Sequence, residues 1–404
     1  MSRPTSPRAG WRLPSTPAFV VISGALVMVF LASGTPVPLY NTFRVEDGIT
    51  NSGLAITTVI YLATTALALL TTGRLSNHLG RRPVAFGAIL FAIAGCLLMM
   101  NVHGLGVLIT GRALQGIACG VASSALGSYV IDTAPPRPRW LPAVITSNAP
   151  PFAIPVGALI SGELVEVGPA PRLLVFAVLA VVLAVFGLLL WACPETVKPH
   201  PGAMRSLRPR IHVPHGEGRL LFAAGAAFVA TWSLSGFYQA FSPVLTVDYL
   251  GTSSALVIAV VFASIVILSP IGGVLTGRLR TARAVRLGLG AFVVATAAIL
   301  LSLHAGAIVP FLIASLVASV AQGAANSGGM RAVLAHSRPQ DRSGLLATIY
   351  LISYAGAAAP GLLAGRLANS MPVDQIALGY GALVLVASAA GIVAIRSSSA
   401  APRR

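Results

Sequence analysis

The chain reads as long apolar runs separated by short polar turns. Runs long enough to cross a bilayer, about 20 residues at 1.5 Å rise, fall at roughly 18–42, 52–73, 83–102, 105–132, 142–163 and 172–193 in the first half of the sequence. In the second half they fall at roughly 219–245, 254–277, 285–303, 307–333, 343–366 and 376–395. The pattern predicts an all-α integral membrane protein of about twelve helices. The short alternating segments of a closed barrel are absent. One interruption is abrupt: GRLSNHLGRRP, from Gly73 to Pro83, sets three arginines, a histidine and an asparagine between IYLATTALALLTT and VAFGAILFAIAGCLLMM.

Composition agrees with the pattern. Only 9% of residues are charged and 56% are hydrophobic, whereas a soluble domain carries about a quarter charged. Lipid must therefore be part of the solvent. A net charge of +17 would suggest nucleic acid in a soluble protein, but here the arginines form no patch with interleaved aromatics. They recur at alternate turns: Arg3, Arg8 and Arg12, then Arg74, Arg81 and Arg82, then Arg137 and Arg139. The series continues with Lys198, Arg205, Arg208, Arg210 and Arg219, then Arg278, Arg280, Arg283 and Arg286. It ends with Arg331, Arg338 and Arg342, then Arg396, Arg403 and Arg404. About 23 of the 27 basic residues fall on this side, and only Arg44, Arg172 and Arg366 on the other. Both termini are expected in the cytoplasm. The start, MSRPTSPRAGWRLPSTPAF, is basic but is not expected to be a cleaved signal, because its apolar run is too long and no small-residue site closes it. Cys96, Cys119 and Cys193 have no disulfide or metal spacing and read as packing residues. Arg in place of Lys, with abundant Ala and Gly, suggests a GC-rich bacterial genome, and hence a bacterial cytoplasmic (inner) membrane.

The longest polar stretch, PETVKPHPGAMRSLRPRIHVPHGEG, divides the chain into a cytoplasmic tail (1–17), a six-helix bundle (18–193), a cytoplasmic linker (194–218), a second bundle (219–396) and a final tail (397–404). The bundles share landmarks in order. Gly73-Arg74-Leu75 is echoed by Gly277-Arg278-Leu279, Gln115-Gly116 by Gln322-Gly323, and Pro155 by Pro360. Parallel six-helix repeats of this kind build many secondary transporters, with the substrate site between them near mid-bilayer.

The Gly73–Pro83 interruption resembles the signature loop of the major facilitator superfamily, written G-x-L-x-D-x-x-G-R-R/K, with Gly73, Leu75, Gly80, Arg81 and Arg82 in register. Arg112-Ala-Leu-Gln115-Gly116 in the fourth span, Pro194-Glu195-Thr196 after the sixth and the duplication extend the resemblance over essentially the whole chain. TPVPLY and LISYAGAAAP also look like a bacterial branch of that superfamily. The resemblance implies a latch joining the cytoplasmic ends of the two halves in the outward-facing state. Its acid would meet the N-terminus of the eleventh helix, and an arginine, Arg81 or Arg82, would meet an acid ending the fourth, where Asp132 stands. Here the acid position is Asn77. An amide loses the charge–dipole contribution, about 0.3–1 kcal/mol and up to ~2, which predicts a weaker latch and a more populated inward-facing state. A replaceable turn residue is the alternative reading of Asn77. The fifth span, SNAPPFAIPVGALISG, matches the family's antiporter motif only loosely.

Polar residues inside lipid face the bundle interior. Arg112 heads a face with Gln115, Cys119 and Ser123. It either contacts substrate, tunes a proton site, is satisfied structurally by carbonyls, or reaches toward the interface. Trp232, Ser235, Gln239 and Ser242 form a stripe in the seventh span. Gln322 and Asn326 share a face of the tenth; Tyr350 and Tyr354 lie in the eleventh, and Thr58, Tyr61 and Thr65 in the second. Each can be interhelical glue; together they describe a cavity of amides, hydroxyls and rings. No Asp or Glu falls mid-span: Glu163, Glu166, Asp248 and Asp374 lie near outer ends, and His103 and His304 occupy outer turns. A cavity whose fixed charge is Arg112 suits a neutral or anionic amphiphile. The leading expectation is a secondary active transporter working by alternating access, exporting a small organic compound in exchange for protons, as a monomer without metal or cofactor. An uptake symporter is the alternative. An intramembrane enzyme or a channel is the remaining class, and the chain holds no HExxH, GxSxG or cysteine–histidine ligand spacing.

Overall fold

A computed structural model of the chain describes residues 13–209, 218–335 and 342–399. Among them twelve helices are long and apolar enough to cross a membrane. In the first half these are α1 (Ser15–Gly34), α2 (Asn51–Thr72), α3 (Arg81–Met99), α4 (Leu105–Thr133), α5 (Leu141–Val167) and α6 (Pro171–Trp191). In the second half they are α7 (Gly218–Tyr249), α8 (Ala255–Leu275), α9 (Thr281–His304), α10 (Ile308–Leu334), α11 (Arg342–Leu367) and α12 (Val373–Ser399). Arg3, Arg8, Arg12, Arg210, Arg338, Arg403 and Arg404 lie outside the described residues.

Every major pairing in the first half recurs six helices later. The pairings α1–α4, α1–α5, α1–α6, α2–α4, α3–α4 and α3–α6 are matched by α7–α10, α7–α11, α7–α12, α8–α10, α9–α10 and α9–α12. The two halves meet along two seams, α2–α11 and α5–α8, which exchange under the same shift. The echoed Gln-Gly pairs explain part of this symmetry. A Cβ at Gly116 would collide with Thr64 Oγ1 and the Tyr61 carbonyl of α2, and one at Gly323 with the Ser269 carbonyl of α8. Equivalent glycines thus let α4 and α10 press backbone to backbone on equivalent partners. Around the outside, Val181, Leu188, Val294, Leu301 and Val386 stand exposed, which is the face that hydrocarbon covers without penalty.

Three helix ends differ from the apolar pattern, each for a proline or a local turn. The first run was expected to reach about residue 42, but α1 stops at Gly34 because Pro36 and Pro38 lack the amide needed to continue; a short helix, Tyr40–Glu46, follows. The last turn of α7 widens into a π-helix, Leu245–Tyr249. The eighth run is two helices, Ala255–Ser264 and Ser269–Leu275. Pro270 has no N–H for the Val266 carbonyl, so the ladder opens just before it. The opened backbone is met by α10: Gln322 Nε2 donates to the Ile265 carbonyl, and Ser319 Oγ accepts from the Leu268 N–H at 3.0 Å. By contrast Pro150, Pro151 and Pro155 leave α5 continuous.

Candidate functional site

The α4 face predicted from Arg112, Gln115 and Cys119 packs against α1. Arg112 is fully buried. Its Nη1 donates to the Ser33 carbonyl at 2.7 Å and to Gln115 Oε1 at 2.9 Å, while Gln115 Nε2 donates to the Ala32 carbonyl at 3.1 Å. Tyr61 of α2 lays its ring 4.2 Å from the guanidinium carbon and donates its hydroxyl to Ser33 Oγ at 3.3 Å. Two donors of Arg112, Nε and Nη2, are buried with no hydrogen-bond partner among the described residues, and none of its described partners is a carboxylate. A buried cation satisfied only by carbonyls, an amide and a ring face retains a demand for an acceptor.

The candidate residues of the second half divide into two groups. Ser235 Oγ donates to Gln322 Oε1 at 3.2 Å, and Thr231 Oγ1 to Asn326 Oδ1 at 3.0 Å. Gln322 and Asn326 therefore tie α10 to α7, and Gln322 also ties it to α8. Trp232 instead meets the edge of Tyr354 with ring centroids 5.1 Å apart, joining α7 to α11. Gln239 is buried but makes no side-chain hydrogen bond among the described residues. Tyr350 is half-buried, one turn from Tyr354. The structure thus brings Arg112, Gln115 and Tyr61 together in one half and Trp232 and Tyr354 together in the other. It gives Gln322 and Asn326 structural partners.

Tyr354 faces the seam. On the loop half of α2–α11 a cavity of about 280 Å³ opens between Ala66, Leu67 and Leu70 on one side and Leu351, Tyr354 and Ala358 on the other. On the opposite half the same helices touch: Gly361 sits against Val59, and Gly365 against Ala55 and Ser52. The α5–α8 seam is likewise tight at that end, with Gly162 against Ala259 and the Ala255 carbonyl. The α2–α11 seam is packed at Gly361 and Gly365, parts around the cavity beside Tyr354 toward the loop, and ends at its far rim in a recess of about 610 Å³ bounded by Arg44, Asn51, Asp248 and Asn369.

The loop itself forms a short helix, Leu75–Leu79, and Gly80 then turns the chain into α3 with φ 99° and ψ 154°. Arg81 Nε pairs with Asp132 at 2.9 Å, and its Nη1 donates to Ser76 Oγ at 2.8 Å and Asn77 Oδ1 at 2.6 Å. Arg82 turns away: it donates to the Trp191 carbonyl at 3.0 Å and stacks over the Trp191 ring. Gly73 ends α2. The sequence marked Glu195 within Pro194-Glu195-Thr196 but gave it no partner. Its carboxylate accepts from the backbone N–H groups of Arg81 (2.8 Å) and Arg82 (3.0 Å), the first residues of α3, and from those of Thr196 and Val197. Thr196 Oγ1 also donates to Asp132. One available signal was scarcity: the chain has 10 acids, so one beside a span end merits a partner search. Past Glu195, the His200 N–H donates to the His78 carbonyl, and Arg74 Nη2 donates to the carbonyls of Ser206 and Arg208. Cys193 is buried here, and that burial pushes its thiol up to about 11 although Arg82 pulls it down. His103, His304 and Glu163 are exposed.

Comparison with known proteins bears on these features. A family model described as Major Facilitator Superfamily matches residues 22–362. The multidrug resistance protein MdtL of Klebsiella pneumoniae (strain 342) is 29% identical over 246 residues, 58% of this chain and 59% of that protein. MdtL of Citrobacter koseri is 28% identical over 236 residues, with the same coverage. The chain thus spans 59% of the length of these curated relatives. Among solved structures, a bacterial homolog of the human lysosomal transporter Spinster, inward-facing and unoccupied, superposes with a TM-score of 0.73 at 14% identity, covering 95% of this chain and 97% of that one. The nucleoside transporter NupG gives 0.71 at 9% identity, covering 93% and 99%.

Proposed function

Because the chain belongs to the major facilitator superfamily, and is a multi-pass membrane transporter rather than an enzyme, we propose that it is a proton-coupled exporter of small neutral or anionic amphiphiles, working by alternating access. The two moving bodies are residues 18–193 and 219–396, rocking about the α2–α11 and α5–α8 seams in the bacterial cytoplasmic membrane, as a monomer. The observation that supports this reading is that α2 and α11 pack at Gly361 and Gly365 and part around the cavity beside Tyr354 toward the loop. The excess of Lys and Arg in the turns at the loop end supports a cytoplasmic position for that end, which makes this the inward-facing member of the cycle. Substrate then enters past Tyr354 and Trp232. Arg112, with two unpartnered donors and no acid beside it among the described residues, favours a substrate that brings an acceptor: a carboxylate, a sulfonate or a carbonyl. Curated relatives named as multidrug resistance proteins support export as the direction.

The test is a resistance screen in an efflux-deficient bacterial host, comparing vector, wild type and Arg112→Ala across acidic, neutral and cationic amphiphiles. The expected result is protection against acidic or neutral members, lost in Arg112→Ala and abolished by a protonophore. Protection against cations alone, or an undiminished profile in Arg112→Ala, contradicts the substrate class. Saturable counterflow in proteoliposomes separates a carrier from a channel.

A further inference from the structure

At the end away from the loop, each seam carries one polar tie from one half to the other among the described residues. On the α2–α11 side, Arg44 of the short Tyr40–Glu46 helix makes a two-pronged contact with Asp248 in the π-turn of α7, both N–O distances being 2.8 Å. Asp248 holds the guanidinium above its ordinary pKa, against the opposing effect of burial. The pair walls a recess with Asn51 at the start of α2 and Asn369 just past α11. On the α5–α8 side, Glu166 near the end of α5 accepts from the N–H of Ala255, the first residue of α8, at 2.9 Å. A carboxylate on a helix N-terminus meets both an unsatisfied donor and the positive end of the dipole. Other polar contacts at this end stay within one half: Arg172 with Glu46 and Asp47, and Tyr249 with Asp374. At the loop end, the described partners of Asn77, His78, Arg81 and Arg82 all lie in the first half or in the segment that follows it.

We propose that Arg44–Asp248 and Glu166–Ala255 form the latch that holds the end opposite the loop shut, one tie on each seam. Glu166 on α8 has the chemistry expected of the loop acid on α11, transferred to the other seam and the other end. Where Asn77 has given up a charge, Glu166 keeps one. The inference rests on the rocking motion proposed above and adds the residues that bias it.

The test uses the full-length protein in nanodiscs with a reporter, Ser52→Cys, at a position buried on α2 against α11 at the end away from the loop; the native cysteines are all buried. Maleimide labelling rates are compared in four backgrounds: Arg44→Ala, Glu166→Gln, both together, and the exchange Arg44→Asp with Asp248→Arg. Each single change is expected to speed labelling roughly threefold and the pair about tenfold, while the exchange returns to within about twofold of wild type. Asp374→Asn, an acid at the same end bonded within its own half, leaves the rate unchanged. Unchanged rates in the double variant, an exchange no better than Arg44→Ala, or equal acceleration by Asp374→Asn overturn the latch. If substrate still alters Ser52→Cys labelling in that case, the carrier reading stands without it; if substrate alters nothing, both fall.

Discussion

Gly80 is the position where a single methyl group has the most legible consequence. Its φ of 99° with ψ of 154° lies in a region open essentially to glycine, so Gly80→Ala carries about 1–3 kcal/mol of backbone strain. The added Cβ would also sit 2.7 Å from Glu195 Oε2. The carboxylate must retreat, and α3 loses the acceptor for its first two N–H groups, about 1–2 kcal/mol more. The sum is about 2–5 kcal/mol. Domains of 150–250 residues shift by about 2–4 °C per kcal/mol, and in a chain of 404 residues roughly half that applies, so the apparent melting midpoint should fall by about 2–10 °C. The assay is thermal unfolding of detergent-solubilised protein followed by size exclusion. Gly87→Ala, inside α3 with open space around its Cβ position, is the control and should match or exceed wild type. Adding Glu195→Ala should make the Gly80→Ala loss smaller by about 1–2 kcal/mol, because the clash partner is gone. Equal midpoints for Gly80→Ala and Gly87→Ala, or strict additivity with Glu195→Ala, would refute the capping argument.

Further expectations follow from the same contacts. Asn77→Asp gains charge toward Arg81 and, as the family resemblance implies, toward the α11 N-terminus when the loop end closes, so it should shift the ensemble toward closure at the loop end by no more than about fivefold; labelling of Leu67→Cys, an exposed position lining the α2–α11 cavity, should slow, and faster labelling contradicts the latch. Gln322→Ala strands the Ile265 carbonyl and should lower the melting midpoint by the equivalent of about 1–3 kcal/mol, whereas Gln239→Ala, with no such bond, should leave the midpoint alone and change transport. The wild-type chain should incorporate well under one maleimide at pH 7. Labelling at Cys193, whose pKa burial raises to about 11, should climb about tenfold per pH unit as the thiolate fraction grows, and a pH-independent rate contradicts that burial.

The helices were legible because a bilayer imposes a length and a polarity on every span, and both are local properties of the sequence. The end of α1 at Gly34 and the break before Pro270 were written in prolines, but the same residue leaves α5 unbroken. What distinguishes them is whether a neighbour such as Gln322 receives the opened backbone, and no local window contains that neighbour. The loop was legible as a motif and Asp132 as its acid. That Arg81 takes Asp132 while Arg82 takes Trp191, and that Glu195 caps α3 across more than 100 residues, depends on how α3, α4 and α6 converge. Likewise Gln322 and Asn326 looked like lining residues beside Gln239 until their partners on α7 and α8 were in view.

The central claim is that two six-helix bodies rock about seams that close at one end when they open at the other. Its most direct test is double electron–electron resonance on spin labels at exposed positions: Leu79 with Ala335 at the loop end and Val45 with Asn369 at the opposite end. Across a titration of a transported substrate and of pH, the account predicts opposed changes, the Leu79–Ala335 distance shortening as the Val45–Asn369 distance lengthens. Both distances moving in the same direction, or neither moving while transport proceeds, would contradict it.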